Sequence, residues 1–426
     1  LQTVNLLSSA PFGEFNVYWN VPTFMCHKYG FHFEEVSQRY GILQNSMDNF
    51  RGDEIAILYD PGMFPKGKNF ERYSGKVVTR NGGVPQEGNL TKHLEVFREH
   101  LINQIPDKSF HGVGVIDFES WRPIFRQNWA SLQPYKKLSI EIVRREHPFW
   151  DNQSVEQEAK RRFEKYGKLF MEETLKAAKQ IRPSASWGYY AYPYCYNLTP
   201  NQHSSQCDSA TMLENDKYLE DVLLPSVYFR WNLTSSERVG LVGGRVREAL
   251  RIAKQMAIRK KVLPYYWYKY QDKRDMYLSK VTTLRKIMDL GADGLILWGS
   301  SDDINTKQKC VEFREYVNNE LGPIVDRIRR TALGLTQSNS TLVGNRIDTT
   351  GLDDTWRCCA TYSSSDRNKI PTKLPLFSFY LRKVEVPNKR ETYCSSSDSS
   401  FIRQPYRLSP NVSERSKRIG FRLVSS

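Results

Sequence analysis

Val115-Ile116-Asp117-Phe118-Glu119 sets two carboxylates two residues apart at the end of an apolar run, Gly112-Val113-Gly114-Val115-Ile116. Side chains alternate along a strand, so Asp117 and Glu119 share one face. Two neighbouring acids do not both ionise cheaply: repulsion is expected to raise one pKa and leave a protonated acid beside an anion. Paired carboxylates of unequal acidity suit acid–base work at a glycosidic bond. Surface strands also carry acids at alternate positions, and the pentapeptide alone leaves that reading open. Trp121 follows, and an apolar strand ending in acids and then an aromatic predicts the mouth of a barrel.

Outward from this stretch, strand-like runs recur at 15–21, 55–60, 113–119, 186–192, 222–229, 262–270 and 293–299. Longer amphipathic segments separate them, the pattern of parallel strands with helical crossovers. Residues 90–105 place Leu94, Phe97, Leu101 and Ile105 on one helical face, and 155–181 carry Phe163, Tyr166, Phe170 and Leu175 amid dense charge. Asn152-Gln153-Ser154 offers caps for the second helix. Six of the runs finish in polar and aromatic groups: Tyr59-Asp60-Pro61-Gly62, Asp117-Phe118-Glu119, Tyr190-Ala191-Tyr192, Ser226-Val227-Tyr228, Tyr266-Trp267-Tyr268 and Trp298-Gly299-Ser300-Ser301-Asp302. Packing of Tyr and Trp between sheet and helices explains some of these residues but not the added acids and serines. The expected fold is α/β, a distorted (β/α) barrel of about seven parallel strands with its site at the strands' C-terminal ends.

The 426 residues carry a formal charge of +15 and are 13% aromatic, with nine Trp and 24 Tyr. Such a charge predicts an acidic partner, whether polyanionic polysaccharide, nucleic acid or membrane surface. Residues 331–426 contribute +7 of it, so the excess is spread along the chain. The lack of RNP, zinc-finger or Lys/Arg-run motifs argues against a nucleic-acid binder. No stretch approaches the ~20 apolar residues of a membrane span. Leu1 to Ala10 resembles a mature or trimmed start. Six Asn-X-Ser/Thr sequons, at Asn89, Asn152, Asn197, Asn232, Asn339 and Asn411, suit the secretory pathway. Seven cysteines without Cys-X-X-Cys or Cys/His spacing favour disulfides over zinc and leave one thiol over. The expected organisation is a catalytic barrel over 1–330 and an atypical, largely irregular tail over 331–426, rich in Ser, Thr and Asn near its start.

From Phe15 to about Arg330 the chain resembles the glycoside hydrolase family of animal hyaluronidases, especially the venom enzymes of bees and wasps. The likeness rests on Phe15-Asn16-Val17-Tyr18-Trp19-Asn20-Val21-Pro22-Thr23, Tyr59-Asp60-Pro61-Gly62, Gly114 through Pro123, Tyr189-Tyr190-Ala191-Tyr192-Pro193, Leu224-Pro225-Ser226-Val227-Tyr228 and Trp298-Gly299-Ser300-Ser301-Asp302. It implies a secreted, endo-acting hydrolase of the β-1,4 bond between N-acetylglucosamine and glucuronate in hyaluronan, with retention. By the family's pattern Glu119 is the acid and later the base. Asp117 steadies the substrate's own acetamido group, which attacks the anomeric carbon. Tyr190 and Tyr228 resemble tyrosines that hold that group, and Trp298 an aromatic wall beneath it. Tyr59, Asp60, Arg122, Ser226, Arg245, Ser300, Ser301 and Asp302 match cleft positions, Arg245 having the alternative of an ordinary helix-surface charge. The family's bridges correspond to Cys26 with Cys310 and Cys195 with Cys207. No metal or organic cofactor is expected; the implied partner is hyaluronan and the expected state a monomer.

Two departures stand out. Between Asp216 and Asp221 the chain reads Lys217-Tyr218-Leu219-Glu220, several residues short of the bee-type pattern, and a smaller gap lies near Tyr277 to Val281. A shift of ~1 Å in the strand that follows can cost about 100-fold in rate. The competing readings are therefore a hyaluronan-binding relative with impaired turnover and a hydrolase acting also on chondroitin.

Overall fold

The computed structural model describes residues 14–68, 78–200, 202–216, 220–278 and 282–335. The described residues belong to the compact unit Leu1–Leu342, without its residues 1–13 and 336–342 and the short internal gaps, and the second unit, Val343–Ser426, lies outside the described residues. So do the expected irregular tail beyond Leu335, the sequons Asn339 and Asn411, and the two shortened connections at 217–219 and 279–281.

The strands are β1 (Asn16–Asn20), β2 (Ile55–Tyr59), β3 (Lys66–Lys68), β4 (Val78–Arg80), β5 (Val113–Asp117), β6 (Ser186–Tyr189), β7 (Val222–Leu223), β8 (Lys261–Val262), β9 (Tyr265–Trp267) and β10 (Gly294–Trp298). Parallel pairing gives the orders β2-β5-β6, β1-β10-β9 and β7-β8, while β3 and β4 form an antiparallel hairpin that the apolar pattern does not announce. Single parallel bridges join Tyr190 to Leu224 and Ser226 to Tyr265. The expected runs 222–229 and 262–270 are both interrupted, by Pro225 and Pro264. A proline has no N–H to give the ladder; their carbonyls still accept from Tyr265 N and Ile296 N, each at 2.9 Å.

Alternation sorts the strand residues into two sets. Tyr18, Ile55, Ile57, Val113, Val115, Val222, Leu224, Leu263, Tyr265 and Ile296 meet in one buried cluster. Their neighbours face the other way: Val17, Trp19, Tyr266, Leu295 and Leu297 join one outer cluster, and Ala56, Leu58 and Ile116 another. Full burial of one such aliphatic or aromatic side chain contributes about 1.5–3 kcal/mol. Gly114 belongs to this outer side, where an added Cβ would lie 2.5 Å from the Trp187 ring.

The crossovers are α1 (Glu35–Tyr40), α2 (Leu90–Gln104), α3 (Gln133–Glu146), α4 (Asn152–Ile181), α5 (Ser209–Asn215), α6 (Ser235–Gln255), α7 (Thr282–Asp289), α8 (Lys307–Tyr316) and α9 (Gly322–Ala332). Phe97 and Leu101 of α2 and Phe163 and Phe170 of α4 are fully buried. The cap of α4 is Asp151, not Asn152 to Ser154: its Oδ1 accepts from Gln153 N at 2.9 Å and Ser154 N at 3.0 Å. Asp151 is extended and so can turn its carboxylate onto the first free amides, which the helical residues after it do not do. Disulfides join Cys26 to Cys310, 284 residues apart, and Cys195 to Cys207. Closing so long a loop stabilises by about 5–6 kcal/mol in the chain-entropy treatment.

Candidate active site

β2 and β5 run in register with Tyr59 opposite Asp117, so the first polar residues of both strands emerge at one level. Beyond Asp117 the chain is pinned by Phe118, which stacks on Phe64 with centroids 4.0 Å apart and meets Trp121 edge-on at 4.9 Å. Trp121 is itself fixed by donating from Nε1 to Pro65 O at 2.7 Å. With Phe118 held outward, Glu119 returns to the side of Asp117. Both carboxylates line a cavity of about 270 Å³ together with Ile57, Tyr190, Tyr228, Tyr265, Trp267, Gln271, Arg274, Trp298 and Ser300. Among the described residues they are the only acids in its lining.

One wall is aromatic. Trp298 lies nearly parallel to Tyr228 at 5.7 Å and meets Trp267 edge-on at 5.2 Å; Tyr190 meets Tyr265 edge-on at 5.1 Å. The register Trp298↔Trp267 brings the two indoles to one height. Trp267 Nε1 donates to Asp303 Oδ2 at 2.9 Å, and buried Lys269 balances that acid at 3.5 Å. At the rim, Trp298 Nε1 donates to Tyr59 Oη at 3.2 Å. Tyr190 Oη donates to Ser226 Oγ over a long 3.4 Å.

Asp117 is pushed up to about 8, by burial first, then by the charge of Glu119, then by that of Asp60. Glu119 is also raised by burial, an effect opposed by the Arg122 guanidinium. Its side chain opens onto the groove, so water moderates the push. Repulsion, the cause expected from sequence, is thus secondary to desolvation. The two acids share one lining and titrate as a pair, both raised above the ordinary carboxylate range.

The remaining candidates divide. Asp60 does not line the cavity. Its carboxylate accepts from Arg80 through both terminal nitrogens, at 2.9 and 2.7 Å, and from Lys66 Nζ at 3.1 Å. Arg122 stands behind Glu119, its guanidinium 5.1 Å from Tyr194 and 5.3 Å from Tyr196 and Trp129, donating to Gln127 O at 2.7 Å. Arg245 is neither a surface charge nor a lining residue. Its Nε donates to Asn197 Oδ1 at 3.0 Å and a terminal nitrogen to Ser226 O at 2.6 Å, fixing the segment that carries Tyr228. Burial lowers its pKa to about 10, which leaves it charged at neutral pH. Ser301 and Asp302 are exposed on the turn past Ser300.

The same contact corrects one sequon. Asn197 is 1% exposed, and its Nδ2 donates to Ser205 O at 2.9 Å and Leu241 O at 3.1 Å. Its amide is a packing element and is not presented for glycosylation in the folded chain; Asn89, Asn152 and Asn232 are exposed.

Sequence reasoning missed Ile57, Tyr265, Gln271 and Arg274. Tyr265 and Trp267 alternate with Tyr266 and Tyr268, and the second pair packs outward against Thr283 and Phe313. A period-two reading of 265–268 separates the lining rings from the packing rings. Arg274 lies over the Trp267 ring at 5.6 Å, a contact between loop and strand that no local pattern marks. In the shortened connection, Glu220 is 6% exposed and accepts from Tyr189 N at 3.2 Å; burial holds its carboxyl well above the usual range. It therefore caps the edge of β6.

The family model for hyaluronidase, glycoside hydrolase family 56, matches residues 4–343. The hyaluronidase of Apis mellifera is 79% identical over 324 residues, 74% of this chain and 84% of that protein. That of Dolichovespula maculata is 52% identical over 332 residues, 76% of this chain and 99% of that protein. A crystal structure of bee venom hyaluronidase in complex with a hyaluronic acid tetramer is similar at 78% identity and a TM-score of 0.71, covering 74% of this chain and 99% of that one. The match over most of the chain and the acid pair in its aromatic groove lead to one conclusion: the chain belongs to the hyaluronidase family, glycoside hydrolase family 56, and is an enzyme.

Proposed function

We propose that this chain degrades hyaluronan as a retaining, endo-acting hydrolase of the N-acetylglucosamine–glucuronate β-1,4 bond. The observation that carries the reading is the pair of carboxylates, with no other acid among the described lining residues, in an aromatic-walled groove. The three strand groups and their bridges support a distorted barrel of parallel strands with the groove across its C-terminal end. Residues 1–330 form the catalytic part in this reading and 331–426 an extension. Six sequons and two disulfides suit a secreted, venom-like glycoprotein, and a monomer satisfies all the chemistry.

A sugar ring stacks on Trp298, with Tyr190 and Tyr228 around its acetamido group. That group's N–H donates to Asp117, which favours the anion there. The single proton of the pair then resides on Glu119, beside the bridging oxygen. Glu119 gives it to the leaving sugar while the acetamido oxygen closes on the anomeric carbon; it then takes a proton from the water that reopens the ring. No enzyme nucleophile is needed, the substrate-assisted exception to the two-carboxylate scheme. Desolvation, which raises both acids, keeps a proton available at neutral pH. Arg274, in the lining, is placed to meet a glucuronate carboxylate through paired N–H groups. Arg245 acts one step back, by holding Ser226 and thereby Tyr228. The charge of +15 draws in the polyanion.

Viscometry on hyaluronan, chondroitin and chitin side by side tests the assignment. A fall in viscosity with hyaluronan, and a β-configured reducing end in the first products by NMR, is the expected result. Binding without any fall in viscosity would select the reading in which turnover is lost, and equal rates on chondroitin would widen the substrate class.

A further inference from the structure

Away from the groove, His27, His32 and Glu34 bring one ligand atom each to within 4.8 Å of one another, a grouping with no counterpart among the described residues. The fold builds it from two turns. His27 lies in the 3-10 segment Thr23–Tyr29, which the Cys26–Cys310 disulfide anchors. Gly30 then takes a left-handed conformation, φ 78°, and turns the chain so that the His32 ring stacks on His27 with centroids 4.6 Å apart.

The support behind His27 is buried. Asp48 is 2% exposed and meets His27 Nε2 at 3.0 Å through Oδ2. Its Oδ1 takes the Thr23 hydroxyl and Gln44 Nε2, the latter at 2.6 Å. With the carboxylate as acceptor, Nε2 serves as the donor nitrogen, which in the neutral ring leaves the Nδ1 lone pair for a ligand. A histidine held from behind by a carboxylate is the usual partner of a bound transition metal, since the carboxylate sets the tautomer and raises the basicity of the ring. His32 and Glu34 face solvent, and their mutual contact is a loose 3.9 Å. An exposed pair at that distance contributes little by itself.

The geometry points to a divalent transition-metal site, filled best by Zn²⁺, with His27, His32 and Glu34 as ligands and Asp48 as the positioning carboxylate. Two imidazoles and a carboxylate form a borderline N/O donor set, and water completes a tetrahedron. A bound ion ties the segment that carries Cys26 to the turn that enters α1. The site lies outside the catalytic machinery, so its occupancy is read as binding and stability and does not depend on the proposed reaction.

The test uses the full chain, chelator-treated and with free thiols alkylated so that the tail's cysteines do not compete. Calorimetric titration with ZnCl₂ is expected to give one equivalent bound, with a rise in Tm of a few degrees once zinc exceeds its Kd about a hundredfold. His32→Ala is expected to abolish the equivalent, and Asp48→Asn to weaken it about 10–100-fold. Uptake in His32→Ala equal to the parent, or no heat and no Tm shift in the parent, would overturn the proposal. Should Asp48→Asn fail to fold, the exposed His32 and a parallel Glu34→Gln decide alone.

Discussion

Asp60 and Asp117 leave neighbouring parallel strands side by side, the Asp60 N–H donating to Asp117 O at 2.8 Å, yet their side chains meet opposite surroundings. Asp60 is gripped by the Arg80 fork and by Lys66, a charge fully answered by hydrogen bonds. Among the described residues Asp117 has no such clamp, and it faces a second acid across a groove walled by rings. The first arrangement fastens the β3–β4 hairpin to the end of β2. The second holds a proton at a pH where an exposed aspartate has none. A few ångströms of difference in cation placement therefore separate a structural carboxylate from one fit for chemistry.

Removing the acid from the open pair has the largest expected effect. Glu119→Gln should lower kcat on hyaluronan by about 10²–10⁴-fold, the usual contribution of a general acid, with Tm nearly unchanged. Viscometry and thermal melts on the same preparation check both halves. Turnover close to the parent's would mean that the unclamped pair is not the reacting one.

Next comes the link that shapes the wall. Arg245→Lys keeps the charge but loses the fork between Asn197 Oδ1 and Ser226 O, and should reduce kcat/KM by about 10–100-fold through misplacement of Tyr228. Arg274→Ala removes a lining cation and should raise KM more than it lowers kcat; a pure kcat effect would refute its role at the sugar carboxylate.

The clamp can be transferred onto the open site by titration. Arg80→Ala leaves Asp60 with Lys66 alone, so its negative charge weighs more on Asp117 and raises that pKa further. If Asp117 works as the anion, the acid limb of the kcat/KM profile moves to higher pH, by about half a unit after screening. Stability offers the converse. Asp117 has a folded pKa near 8 against an unfolded value of 3.8, so the folded chain holds the extra proton and stability falls as pH rises between those values. Asp117→Asn should remove that slope and raise Tm at pH 7.5 by a few degrees while lowering activity. A slope that survives in the variant would place it elsewhere.

The smallest effect lies far from both carboxylates. Asp151→Ala should cost about 1 kcal/mol, the price of one helix cap, and leave kcat/KM as it was.

Much of this was readable from local pattern. The alternation of 113–119 put Asp117 and Glu119 on one face, and the recurrence of strand and helix pointed to parallel pairing. The quoted motifs pointed to the family that the comparisons bear out. The same logic failed where chain-distant partners decide. Asp60 reads like a cleft acid until Arg80, 20 residues on, reaches it; Asn197 fits a sequon until Leu241 buries it. Gln271 and Arg274 carry no periodic mark, because a loop is placed by what it docks on.

Periodicity, composition and short motifs are properties of neighbours along the chain, and they dictated which residues became strands, which faces turned inward and which two acids met. Whether a charge is answered, a side chain drowned or exposed, and a proton kept or released depends on groups tens to hundreds of residues away. Desolvation and Coulomb attraction act through space, so the pKa near 8 at Asp117, the grip on Asp60 and the cluster at His27 came into being only when the chain had folded.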